Sequence, residues 1–317
     1  MPPLSGTTDR PPDARIAVYR FARYTVLFLG VVAAVKLAVV DTVVVKTDQM
    51  SPTLVQGDRI MMLRTPFIWP FSRILPPGRR APVVARHPIF SRSYACLRIA
   101  GLPGDSMVIG KGRFNVLNRN CPPLGCAISA AESLQPEFSP RDSMDAYRLP
   151  RPGDTIDLDS LGLRDFFFAA AMIKQEQPSG SITLKADLFI DGKRANDIPM
   201  SNFALFKGSI NTVPGHFVYN WFFWDRLNAY WKQAADGKQC LLRFGLYRDR
   251  ERIKKHVVRG SFIFLLADDW RKGFDSRYFG PVSSRLLKGR IACVLWSIDG
   301  GKGGRGLRTD RIIKIVK

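Results

Sequence analysis

YACLRIAGLPGD (Tyr94–Asp105) and DSRYFG (Asp275–Gly280) decide how this chain is read. The first is an apolar strand running into a Gly-Leu-Pro-Gly-Asp turn, where Pro fixes φ and Gly allows backbone angles that other residues resist. In the second, Asp275 and Arg277 stand two apart. That spacing points both side chains the same way along a strand and suits a structural ion pair. Two more stretches belong with them. KTDQMSPTLVQGDRIMM (Lys46–Met62) carries a Met-Ser-Pro-Thr-Leu turn and a Gly-Asp before an apolar strand, and SFIFLLADDWRKG (Ser261–Gly273) leads into DSRYFG.

Around these stretches the pattern is chiefly strand. Short β-branched or apolar runs lie between turn signals at Val43–Lys46, Arg59–Leu63, Ala81–Arg86, Ser181–Lys193, Ser261–Asp268 and Arg290–Asp299, with an Asp-Gly turn expected at Asp191–Gly192. Helical periodicity is confined to Ser160–Glu176, capped at Asp159 or Ser160, and to Trp224–Asp236. Asp154, Asp157 and Asp159 lack the ligand density and terminal Glu of a calcium loop. The aromatic run Tyr219–Trp231 reads as core, with a lipid-interface face as its alternative. Gly300–Arg308 reads as a flexible stretch before the final apolar run Ile312–Val316.

The N-terminus has a different character. Residues 1–14 are Pro-rich and polar, a disordered tail by composition. From Arg23 to Asp41 the chain is apolar except for Thr25 and Lys36, close to the roughly 17-residue minimum for a spanning helix. Arg10, Arg15, Arg20 and Arg23 precede it, which places the N-terminus in the cytoplasm if the segment spans. A cleaved signal peptide would need a small-x-small site that AVKLAVVD lacks, and a core helix would need a polar face. The expected layout is a cytoplasmic tail (1–22), a transmembrane anchor (23–41), an exported domain (42–300) with an insertion at about 115–255, and a basic C-terminal segment (301–317).

The 317 residues are 46% hydrophobic, enough for a substantial core, and carry a net charge of +21. That charge points to an anionic partner. No helix-turn-helix, zinc-finger or RNA-binding motif accompanies it, and the basic residues are scattered. An anionic lipid surface is therefore the expected partner ahead of nucleic acid. Cys96, Cys240 and Cys293 read as small buried hydrophobes, whereas Cys121 and Cys126 flank a Pro/Gly turn that could bring two thiols together. With three His in the chain and none near these cysteines, no zinc site is expected.

The three boxes, in this order after an N-terminal anchor, resemble those of the type I signal peptidases. The resemblance implies a mostly β exported domain of coiled antiparallel barrels with a helical insertion, held by one transmembrane helix in the bacterial inner membrane. It implies no cofactor or metal. It also implies amide hydrolysis by a Ser–Lys dyad, in which a buried lysine of depressed pKa activates the serine. Carried over residue by residue, the nucleophile position directly before Met50 is Gln49, and the general-base position directly before Arg98 is Leu97. The base-orienting position two before Asp275 is Gly273, and the family's Gly-Asp-Asn turn is here Ala267-Asp268-Asp269. The hydroxyl on the oxyanion side is kept as Thr47, and Pro52, Thr53, Gly57, Asp58, Arg98, Gly101, Pro103, Gly104, Asp105, Asp275 and Arg277 fit the frame.

Gln cannot attack a carbonyl and Leu cannot accept a proton, so the frame persists without its dyad. The expected function is a non-catalytic homologue that binds signal peptides, pilin precursors or components of secretion or conjugation machinery. Two alternatives stand beside it. One is an endopeptidase that uses Ser51, with Lys46 or Lys36 as a displaced base. The other is a basic, membrane-tethered protein associated with nucleic acid.

Overall fold

In the computed structural model the described residues are 14–64, 78–88, 93–110, 113–118, 124–125, 143–177, 182–234, 237–299 and 306–316. Cys121 and Cys126, the two thiols expected to come together, lie outside them. The chain opens with α1 (Ala14–Ala38), 25 residues with no acidic residue in the first turn. Its start precedes the expected anchor, and residues 40 and 41 already belong to a strand. Side chains 18–34 are exposed on every face, among them Phe21 (74% exposed), Phe28 and Leu29. Among the described residues, no helix is long and apolar enough to cross a membrane.

The rest is mostly β. The main sheet runs β1 (Val40–Val44), β2 (Asp58–Leu63), β17 (Leu287–Asp299), β3 (Pro82–Arg86), β4 (Tyr94–Gly101), β15 (Phe262–Leu266) and β16 (Val282–Ser283), with β18 (Gly306–Leu307) and β19 (Lys314–Ile315) also on β17. All these pairs are antiparallel. β17 changes register against both β2 and β3, and β15 does so against β4. Each irregularity adds bend and twist, so the sheet curls rather than lying flat.

Its two faces bury different sets. Val45, Met50, Leu54, Ile60, Met62, Val84, Cys96, Ile291, Val294 and Val316 form one cluster. Val83, Ala95, Leu97, Ile99, Ile263, Leu265, Ala267 and Phe279 help form the other. The period-2 alternation of the strands explains the division, since Cys96 and Leu97 point to opposite faces.

The GLPGD turn carries the chain from β4 into a second sheet of β5 (Ser106–Gly110), β6 (Arg113–Val116), β7 (Leu124–Gly125) and β8 (Met144–Arg148), in the order β7-β6-β5-β8. A pair, β9 (Thr155–Asp157) with β14 (Lys255–Val257), leads to a third sheet. That sheet holds β10 (Ile182–Ile190), β11 (Lys193–Arg194), β12 (Cys240–Arg248) and β13 (Glu251–Arg252). Asp191 and Gly192 both adopt positive φ between β10 and β11, the geometry that an Asp-Gly hairpin turn supplies.

Two helices, α2 (Leu163–Glu176) and α3 (Trp221–Ala234), back these strands. α2 begins after Gly162 rather than at Asp159 or Ser160, because Leu158–Ser160 forms a 3-10 turn capped by Asp157. The aromatic run faces inward: Trp221, Phe223, Trp224 and Trp231 join Phe166, Phe167 and Phe168 in the largest core cluster. Cys96 and Cys293 are buried thiols, whereas Cys240 is only half-buried.

The end of the chain is tied to the main sheet rather than flexible throughout. β18 pairs with Ile298–Asp299 and β19 with Cys293–Val294. Arg308 donates to the Gln56 carbonyl (2.9 Å) and to the Ser297 hydroxyl (3.0 Å).

Candidate functional site

The three sequence boxes meet at the end of the main sheet. Met50 and Leu54, both wholly buried, pin the loop between β1 and β2 against the sheet. Within that loop Ser51 N–H donates to the Asp48 carbonyl (3.0 Å) and Leu54 N–H to the Met50 carbonyl (2.8 Å). Gly57 closes it at φ +94, and a Cβ there would lie 2.0 Å from the Ile298 carbonyl oxygen, so only glycine fits.

Asp58 follows, fully buried, and is gripped by Arg311 through Nε–Oδ1 (2.9 Å) and Nη2–Oδ2 (2.5 Å). Burial alone would raise its pKa. The hydrogen bonds from Arg311, Ser297 and the Val55 amide outweigh burial and hold the carboxyl below its ordinary value.

Thr53, Arg98 and Asp268 bring one residue from each box into a single cluster. The Arg98 guanidinium binds Asp268 through two parallel bonds, Nε–Oδ1 (2.8 Å) and Nη2–Oδ2 (2.7 Å), and also donates to the Arg80 carbonyl (2.7 Å). The Thr53 hydroxyl donates to Asp268 Oδ2 (2.5 Å). A two-pronged arginine–carboxylate pair fixes orientation as well as distance, so this cluster sets where the loop, β4 and the turn at 267–269 stand relative to one another.

The third box is anchored from below. Asp275 and Arg277, both fully buried, pair through Nε–Oδ1 and Nη2–Oδ2 at 2.8 Å each. They do so from a one-turn helix, Ser276–Phe279, capped by Asp275, and not along a strand as the spacing suggested. Asp275 also accepts from the Ala267 amide (2.9 Å). On the other side of β4, Asp105 is held in two-pronged contact by Arg79 and accepts from the Leu102 amide (2.7 Å). Gly104 in that turn has φ +86. Gly101 is needed for space, since a Cβ would lie 2.2 Å from Met107 Sδ. Pro103 is half-buried in the turn between them.

The positions expected to carry the dyad do come together. Gln49 Nε2 donates to the Cys96 carbonyl (3.1 Å), the residue before Leu97. The Gln49 carbonyl accepts from Asp269 N–H (2.9 Å), and the Asp269 carbonyl accepts from Gly273 N–H (2.9 Å). Leu97 is 1% exposed, within the apolar cluster. A Cβ on Gly273 would lie 2.3 Å from Ala267 Cβ and 3.0 Å from the Asp269 carbonyl.

Thr47 and Lys46 are exposed, and Ser51 is half-buried with a hydroxyl that makes no hydrogen bond to a described residue. Among the described residues no group of His, Cys, Asp and Glu could hold a metal ion.

Two contributors escaped the sequence reading. Asp268, read only as part of a departing turn, is the acid that Arg98 binds; its signal was an arginine of the second box with no named partner. Arg311 lay in a stretch read only as basic.

A family model described as signal peptidase, peptidase S26, matches residues 18–145, which hold the first two boxes. No curated protein matches the chain. The chain is thus similar to the signal peptidases over its first two boxes, and the fold joins these to the third at Thr53, Arg98 and Asp268.

Proposed function

We propose that this protein is a non-cleaving relative of the signal peptidases, one that holds extended segments of exported precursors at the end of β4. One observation carries the reading. The positions that the resemblance gives to nucleophile, base and base-orienting hydroxyl are Gln49, Leu97 and Gly273, none of which is a nucleophile or a base, while Gln49 is bonded to the residue before Leu97 and, through Asp269, to Gly273. Three such losses remove the nucleophile, its base and the base's partner. The scaffold around them, from Thr53–Arg98–Asp268 to Asp275–Arg277, is fully hydrogen-bonded. A frame kept in this condition is suited to binding, and strand addition at a sheet edge is the mode open to an extended peptide.

Attachment to a membrane belongs to the same proposal. The apolar side chains of α1 are exposed on all faces, an arrangement that water disfavours and lipid does not. Trp296, Ile298, Leu307, Ile313 and Ile315 are also exposed on β17 and its partners, close to cationic Arg59 and Lys314. With +21 net charge, this favours an anionic inner-membrane surface, and Arg10, Arg15, Arg20 and Arg23 favour an extracytoplasmic main domain. Pilin precursors or other components of secretion or conjugation machinery are the proposed cargo.

The reading is tested by photo-crosslinking. Full-length protein in anionic lipid nanodiscs is incubated with a preprotein peptide that carries a photoreactive residue near its processing site. Adducts on residues 93–98 are expected, with the peptide recovered at full length. Adducts confined to other surfaces would remove the basis for the proposal.

A further inference from the structure

Building on the peptide-holding reading, we propose that Gln49 is the gate of the binding edge: its side-chain amide occupies the strand-edge carbonyl that an incoming peptide needs. The direction of that carbonyl follows from β4 itself. Ile99 exchanges its backbone bonds with the β3 side, because the Arg80 amide donates to the Ile99 carbonyl (2.7 Å) and the Ile99 amide to the Ala81 carbonyl (3.0 Å). In an antiparallel ladder each residue turns both its N–H and its C=O to one neighbour, and successive residues alternate. Arg98 and Cys96 therefore present theirs to the opposite side.

There β15 pairs with β4 only as far as Arg98–Leu266. The chain then leaves the ladder, as Asp268 turns its carboxylate to Arg98 and Thr53. No described strand pairs with β4 beyond that point on this side, and the Cys96 carbonyl is the first acceptor left at the edge.

Gln49 fills it. Its Nε2 donates to that carbonyl at 3.1 Å, while its own carbonyl accepts from Asp269 N–H at 2.9 Å. The residue thus stands where the next strand would begin, tied to β4 by its side chain and to the departing turn by its backbone. A primary amide has both a donor and an acceptor, so it can satisfy the edge as a peptide N–H would. A half-buried neutral hydrogen bond of this kind is worth little net. The gate is therefore weak enough for a peptide with several main-chain bonds to displace, yet it protects the edge from indiscriminate pairing.

The test uses full-length protein in detergent micelles, Gln49→Ala and Gln49→Asn, and a fluorescein-labelled preprotein peptide as probe. Asn retains the amide on a stem too short to reach Cys96 from the same backbone position. Two readouts are taken: peptide affinity by anisotropy, and amide hydrogen exchange over residues 50–57. Both variants are expected to bind the peptide about five- to tenfold more tightly than wild type, and to exchange faster in the loop by a similar factor. Equal peptide affinity in wild type and variants, with peptide bound, overturns the gate and leaves the peptide reading standing. Unchanged loop exchange overturns the gate whatever the peptide does. Faster exchange with no peptide bound by any of the three proteins overturns the peptide reading, and the gate with it.

Discussion

Placing a methyl group on Gly273 should destabilise the protein, and removing the methyl of Ala267 should relieve the defect. The Cβ of Gly273→Ala would lie 2.3 Å from Ala267 Cβ, whereas non-bonded carbons settle at about 3.5–4.0 Å. The neighbours must move by more than an ångström. Ala267 cannot yield easily, since it is 1% exposed and its amide is bonded to buried Asp275. Overpacking of this severity costs about 1–3 kcal/mol. Ala267→Gly alone should cost roughly 1 kcal/mol through backbone freedom and a lost methyl. In the double variant the clash is gone, so its cost should fall short of the sum by about 1–2 kcal/mol. The resemblance puts Gly at the first turn position and a hydroxyl residue at the later one; here the side chain stands at Ala267 and the glycine at Gly273, the reverse order. Urea unfolding of the three variants in micelles, followed by tryptophan fluorescence, completes the cycle. Additive effects, or a neutral Gly273→Ala, would refute the idea that these two departures from the family pattern are one compensated change.

Four other outcomes follow from the same contacts. Leu97→Lys should lose several kcal/mol in denaturant titration, because it places an ammonium group, or the neutral amine that burial forces on it, in an apolar cluster. Asp268→Asn should cost about 1–3 kcal/mol and loosen the loop between β1 and β2 in hydrogen exchange, since Arg98 and Thr53 both lose a charged acceptor. His87 stacks on Phe274 and is lowered by burial to about 4, so the folded state resists a proton that the unfolded chain takes up near 6.5. Stability should be complete above pH 6.5 and fall by up to about 3 kcal/mol towards pH 4, and His87→Gln should flatten that part of the profile. At lower pH the lowered Asp58 carboxyl gives a second loss of stability, present above the unfolded value near 3.9 and lost as pH falls through the folded one. Arg311→Gln should remove it.

Much of the frame was legible because its cues are local. Gly57 and Gly104 announce positive φ, and the Asp191–Gly192 turn announces a hairpin. Asp275 and Arg277 were paired correctly in the sequence but placed on a strand. The cue missed was that Asp followed by Ser is also a helix cap, and it caps one turn here. Other features had no local sign. The 267–273 compensation depends on a distance between two residues that no spacing rule reports. Arg311 sits after a Gly- and Lys-rich stretch whose composition suggested mobility, yet Asp58, far away in sequence, needs its guanidinium. The substitutions at Gln49 and Leu97 were visible, whereas the bond from Gln49 to Cys96 was not, because it joins segments brought together only by the curl of the sheet.

The central claim, that the site holds peptide without cutting it, is tested most directly by mass spectrometry of a preprotein incubated with stoichiometric full-length protein in lipid. The account predicts saturable binding and recovery of intact precursor, with Ser51→Ala indistinguishable from wild type. Appearance of a mature fragment with wild type, and its disappearance with Ser51→Ala, would contradict the account.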